Sequence, residues 1–207
     1  MVFLWAIAND RIIETSLGYY MNPLMFIAAG VLLLGEKLSR TQLIAMAMAA
    51  IGVLILIVDS GVFPLSAFFL AASFTAYGLL HKRTPVGAVP SLFIETLVLL
   101  APAVFYLVYL AQSGALYFGN ASLGLNILLI LAGPVTVIPL TLFAIAARRV
   151  PLATIGFLQY IGPTITLFVG LYYGEAFTTA HAICFGFIWS ALTLISLESV
   201  RNARADK

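Results

Sequence analysis

The sequence predicts an all-α polytopic membrane helical bundle built from two inverted repeats, and three observations carry that prediction. Hydrophobic residues make up 63% of the 207 residues and charged residues 9%, where soluble domains carry about 25% charged; mean hydropathy is +1.11. The apolar residues gather in continuous runs of about 20, the length at which a helix crosses a hydrocarbon core of about 30 Å. One short stretch occurs twice: Leu34-Gly35-Glu36-Lys37-Leu38-Ser39-Arg40 returns 139 residues later as Tyr173-Gly174-Glu175-Ala176-Phe177-Thr178-Thr179. Each copy follows an apolar segment containing proline (Asn22-Pro23, Gly162-Pro163) and precedes another apolar segment. A membrane β-barrel is excluded because its strands alternate apolar and polar residues in short segments.

Seven spans are expected, at residues 13–34, 40–58, 61–81, 90–111, 124–146, 152–173 and 179–197. Lys37 and Arg40 separate the first two, Asp59 the second and third, and Lys82 and Arg83 the third and fourth. The uncharged stretch from Gln112 to Asn126 follows the fourth, Arg148 and Arg149 follow the fifth, Glu175 the sixth, and Arg201, Arg204 and Lys207 the last. Crossing at every span places nine of the ten Lys and Arg residues on one side, with Arg11 as the exception. The positive-inside rule makes that side cytoplasmic and puts the C-terminus there. The first Gly-Glu turn is then cytoplasmic and the second external, so the two copies are inverted.

If the second repeat begins near Gly61, the 139-residue offset starts the first repeat about 78 residues upstream of Met1. The segment from Met1 to Ala8 fits the tail of a cut span, since eight helical residues reach only about 12 Å. It lacks the basic leader and small-residue cleavage site of a signal peptide. Five plus five helices is the architecture this arithmetic implies, with the first two and most of the third missing.

The run from Glu14 to Leu24 (ETSLGYYMNPL), Leu34 to Lys37 (LGEK), Ile94 to Leu97 (IETL) and Gly156 to Thr164 (GFLQYIGPT) resemble the RarD family, in the EamA branch of the drug/metabolite transporter superfamily. The resemblance covers essentially the whole chain. It implies a ten-helix EamA-type permease of the bacterial inner (plasma) membrane with both termini cytoplasmic. Residues 1–60 then form the C-terminal part of the first EamA repeat, and residues 61–207 the second repeat and a cytoplasmic tail. Family members are labelled chloramphenicol-sensitive permeases, a phenotype that fixes no physiological substrate.

Substrate sites in repeat transporters lie near the midplane, where Gly or Pro interrupts corresponding helices. Proline removes a backbone donor and frees a carbonyl one turn back. Tyr19, Tyr20 and Asn22 beside Pro23, and Gln159 and Tyr160 beside Pro163, are therefore the first candidate lining residues. The competing reading is helix packing with interhelical hydrogen bonds of about 0.6 kcal/mol each. Glu95 is the acidic residue clearly inside a span, where a carboxylate is costly unless paired or protonated. It is a candidate for attracting a cationic substrate or binding a proton, or it is an anchor paired with Lys82 or Arg83. Thr136 and Thr141 flank Pro139 in the fifth span; they either line the cavity or hydrogen-bond to their own helix. His81 and His181 fall at span ends and read as interfacial. The Gly35-Glu36 and Gly174-Glu175 turns read as helix caps: glycine takes the left-handed cap and glutamate favours the start of the following helix.

Gly-x-Ser-x-Gly, His-Glu-x-x-His and nucleotide-binding glycine loops do not occur, so catalysis, cofactors and metals are not expected. A single cysteine, Cys184, provides neither an internal disulfide nor a cysteine metal cluster. The net charge of +2 is spread over membrane loops and gives no sign of nucleic-acid binding. The expected partners are membrane lipids and a small-molecule substrate, with a homodimer as one way to complete a broken symmetry. The function expected is a secondary transporter or exporter of a small organic metabolite or drug, driven by a gradient. A non-transporting membrane scaffold or partner subunit is the alternative.

Overall fold

The structure is a computed structural model that describes residues 12–61, 64–172 and 177–205. Eight helices follow one another: α1 (Ile12–Leu34), α2 (Arg40–Ser60), α3 (Leu65–Arg83), α4 (Ala88–Gln112), α5 (Leu123–Arg149), α6 (Leu152–Gln159), α7 (Ile161–Tyr172) and α8 (Thr179–Ala205). Among the described residues five helical stretches are long and apolar enough to cross a membrane: 40–60, 88–112, 123–149, 152–169 and 179–202. The helix at the expected third span, α3, carries His81, Lys82 and Arg83 in its last turn, which lowers its mean hydropathy. The second Gly-Glu turn and residues 1–8 lie outside the described residues.

The chain divides into two compact units, residues 1–79 with 150–207, and residues 80–149. In the first unit the most extensive packing is between α2 and α8, followed by α1 against α6. Small residues permit both. A Cβ on Gly52 of α2 would stand 3.0 Å from the Cys184 carbonyl oxygen on α8. A Cβ on Gly156 of α6 would meet the Pro23 carbonyl oxygen at 2.6 Å and Ile27 Cγ1 at 2.7 Å. Without a hydrophobic force between helices in lipid, such close backbone approach is what van der Waals attraction needs. One buried cluster gathers Tyr20, Ala49, Val53, Leu56, Tyr160, Cys184, Phe185 and Ile188. A second gathers Ile27, Ala45, Ala153, Phe157 and Ala191.

Helix ends follow local chemistry. Gly35 has φ +67°, and the Glu36 N–H reaches back to the Gly30 carbonyl at 3.0 Å, so a left-handed glycine stops the helix and a carbonyl of its last turns finds a donor. Four residues on, Ser39 opens α2 with a capping box: its hydroxyl accepts from the Gln42 N–H at 3.0 Å, and the Gln42 side chain accepts from the Ser39 N–H at 3.0 Å. Helix α2 stops at Gly61, whose φ is +64°.

The two prolines expected to interrupt their helices behave differently. Helix α1 runs unbroken through Pro23, an accommodation that membrane helices make by small local adjustments. The apolar segment from Leu152 to Tyr172 does break, at Tyr160. Pro163 has no N–H for the Gln159 carbonyl one turn earlier, and the chain tightens there, with the Tyr160 N–H reaching the Phe157 carbonyl at 3.3 Å.

In the second unit α4 packs on α5. Arg148, in the last turn of α5, forks onto two carbonyls at the end of α3, those of His81 at 3.0 Å and Thr84 at 2.8 Å. Basic groups favour helix C-termini, where carbonyls lack partners. Large apolar side chains along α4 and α5, among them Phe93, Phe105, Leu128 and Val135, are exposed, as lipid-facing helices require.

Candidate functional site

Antiparallel packing of α1 on α6 brings two of the sequence-selected residues together. Gly30 faces Ala153, Pro23 and Ile27 face Gly156, and one turn further the Asn22 Nδ2 donates to Gln159 Oε1 at 2.8 Å. Gln159 is six residues along α6 from Ala153, so the pair lies about 9 Å inside the helix start. Next to Gln159, Tyr160 is 1% exposed and packs in the cluster formed by α2 and α8. The single amide bond does not satisfy the group: Asn22 Oδ1, Gln159 Nε2 and the Tyr160 hydroxyl are buried without a hydrogen-bond partner.

The other candidates separate. Tyr20 belongs to the buried cluster and meets Phe185 edge to face at 5.6 Å, so it packs the α1–α8 contact. Tyr19 is half exposed. Thr136 and Thr141 turn back on their own helix, donating to the carbonyls of Ala132 and Val137 at 2.7 Å each. That is the backbone-bonding option for threonines beside a proline kink.

Glu95 lies in the second unit with His81. Its Oε1 is 3.2 Å from His81 Nε2 and accepts from the Ser91 hydroxyl at 3.0 Å. His81 is 2% exposed and Glu95 39%. The carboxylate inside the α4 stretch thus has a histidine beside it, and His81, at the end of α3 as expected, is buried against it. Sequence spacing alone held the hint: both fall within two turns of the same basic loop.

Glu36 is the residue whose role the sequence reading placed elsewhere. Its carboxylate does not cap the following helix, which Ser39 caps. It accepts from the N–H groups of Leu152 at 2.7 Å and Ala153 at 2.9 Å, at the start of α6. Pro151 provides that helix with no side-chain cap, and a carboxylate against the exposed N–H groups and positive dipole end fills the need. Beside it, the Ser39 hydroxyl donates to Glu198 Oε2 on α8 at 2.9 Å. The α1–α2 turn, the start of α6 and the last turns of α8 therefore share one end of the first unit.

The chain is 45% identical over 208 aligned residues to a Vibrio cholerae protein named an uncharacterized transporter, an alignment that takes in 100% of this chain and 69% of that one. Protein RarD of Streptomyces exfoliatus is 40% identical over 207 residues, 100% of this chain and 66% of its own. Protein RarD of Escherichia coli is 40% identical over 205 residues, 99% of this chain and 69% of its own. The chain thus spans about two thirds of the length of these relatives. No family model and no solved structure matches it.

Proposed function

Because the chain belongs to the RarD family of membrane transporters, we propose that it is a permease of the EamA branch, moving a small organic molecule across the bacterial inner membrane. It works by alternating access between two inverted repeats, residues 1–60 and 61–207, and performs no catalysis. The observation that carries this reading is the Asn22–Gln159 hydrogen bond, which joins the proline-bearing α1 of one repeat to the end of α6 in the other, four residues before Pro163. Helix pairing supports it. The start of α2, Arg40, corresponds to the start of α8, Thr179, at the 139-residue offset, and these two helices form the most extensive contact. Gly52 against Cys184 has as its repeat counterpart Ala191 with Ala45, which share a buried cluster. A pseudo-twofold axis generates such reciprocal contacts.

The C-terminus is assigned to the cytoplasm by the basic loops, in keeping with the hydrogen bonds that hold the Glu36 turn, the α6 start and Glu198 at one end. With no nucleotide-binding motif in the sequence, the energy comes from a gradient. One relative, 29% identical, is named a chloramphenicol-sensitive protein in Pseudomonas aeruginosa, which makes chloramphenicol the first compound to assay. Labelled chloramphenicol is expected to enter proteoliposomes holding the purified chain faster than empty liposomes. Asn22→Leu is expected to reduce that flux about tenfold. Flux equal to empty liposomes, or indifferent to the substitution, removes this reading.

A further inference from the structure

The three orphaned atoms beside the amide pair say what kind of molecule the site takes. Asn22 Oδ1 is an acceptor without a donor, Gln159 Nε2 is a donor without an acceptor, and the Tyr160 hydroxyl serves either role. Buried side-chain polar atoms nearly always find partners, and here three remain open on one hydrogen-bonded pair and its sequence neighbour. Each of the three atoms is buried and makes no hydrogen bond among the described residues. The open valences are matched, one donor and one acceptor on adjoining amides, so a single ligand group that both donates and accepts closes them.

Charge is the discriminating property. Tyr160 packs in an apolar cluster with Tyr20, Ala49, Val53, Leu56, Ala67, Ala180, Cys184, Phe185 and Ile188. Along the chain Glu14 stands eight positions before Asn22, and Glu36, fourteen positions beyond it, is bound to the start of α6. An ion brought to the pair sheds its hydration against these apolar side chains, which is far costlier than seating a neutral polar group.

We propose that Asn22, Gln159 and Tyr160 form a binding site for an uncharged ligand presenting an N–H donor and a C=O acceptor side by side, as a carboxamide does. This rests on the transport reading and names its substrate class: the neutral amide-bearing part of the transported molecule docks here. Gln159 sets the sign of the selection, because its Nε2 is the open donor.

Four probes of one shape test it: benzamide, benzoate, benzylamine and toluene, titrated by calorimetry into the purified full-length chain at neutral pH. Benzamide is expected to bind saturably, and the other three to bind about tenfold more weakly or worse. Gln159→Glu, close in size, is expected to turn the preference from benzamide to benzylamine. Tyr160→Phe, which removes only the hydroxyl, is expected to weaken benzamide a few-fold while elution and helical circular dichroism stay as in the parent. Equal binding of benzoate or benzylamine by the parent chain overturns the proposal. So does benzamide binding that ignores both substitutions, or its absence up to the solubility limit, which assigns the open atoms to water. Benzamide uptake into proteoliposomes is measured in parallel. Binding without uptake leaves the site standing and removes the transport reading, whereas uptake unaffected by Gln159→Glu removes the site alone.

Discussion

Glu36 illustrates how a single carboxylate ties distant parts of the chain. Its two oxygens take one N–H each at the start of α6, and charge-assisted bonds of this kind contribute about 1.5–3 kcal/mol each. Gly30 leaves the room: a Cβ there would stand 2.5 Å from Glu36 Oε2. Glu36→Gln keeps the shape and one acceptor but loses the charge, so thermal unfolding of the purified protein should show a loss of about 1–2 kcal/mol. An unchanged midpoint would remove the capping role. Glu95→Gln addresses the second partnered carboxylate. If its pairing with His81 holds the coupled proton, flux driven by a pH gradient falls to the rate without a gradient; unchanged dependence takes Glu95 out of coupling. Neither partnership is written in local sequence, because Glu36 meets residues 116 and 117 positions away and only folding brings His81 onto Glu95.

Helices were the most legible scale. Length and hydropathy place the start of a helix within four residues of each of the seven expected spans, although five of the described stretches are long and apolar enough to cross a membrane and α8 runs eight residues past its expected end. The Gly35 stop and the proline-linked break before Pro163 were also legible, because both follow from one residue's backbone chemistry. The unbroken course of α1 through Pro23 was not, as neighbours decide whether a proline bends a membrane helix. Gly156 is the residue on which the α1–α6 contact turns. Gly156→Ala drives a methyl group to 2.6 Å from the Pro23 carbonyl oxygen, and overpacking of this kind costs about 1–3 kcal/mol. The substitution should lower the unfolding temperature and weaken the Asn22–Gln159 site. Gly186→Ala in α8 meets nothing within 4 Å and is the matched control, expected to be neutral or slightly stabilising; equal losses in both variants would refute the close-approach argument.

Across the whole molecule, the repeated Gly-Glu turn made the α2–α8 pairing legible as a proposal, while the particular atoms left open beside Asn22 were beyond any sequence pattern. The orientation itself is testable. In a Cys184→Ala background, Asp59→Cys should react with a membrane-impermeant maleimide on intact cells, and Arg201→Cys only after lysis; the reverse pattern inverts the topology. The Glu36 cap carries a consequence for biogenesis. At about 5–20 residues per second, the ribosome takes roughly 6–23 s to travel from residue 36 to its backbone partner 116 positions on. Throughout that interval the Glu36 carboxylate lacks the two N–H groups it binds in the folded chain. The turn that carries it is closed locally by the Gly35 stop and the Ser39 capping box. Assembly therefore includes a docking step that waits for residues 152 and 153 to be made, when the start of α6 finds a glutamate already waiting.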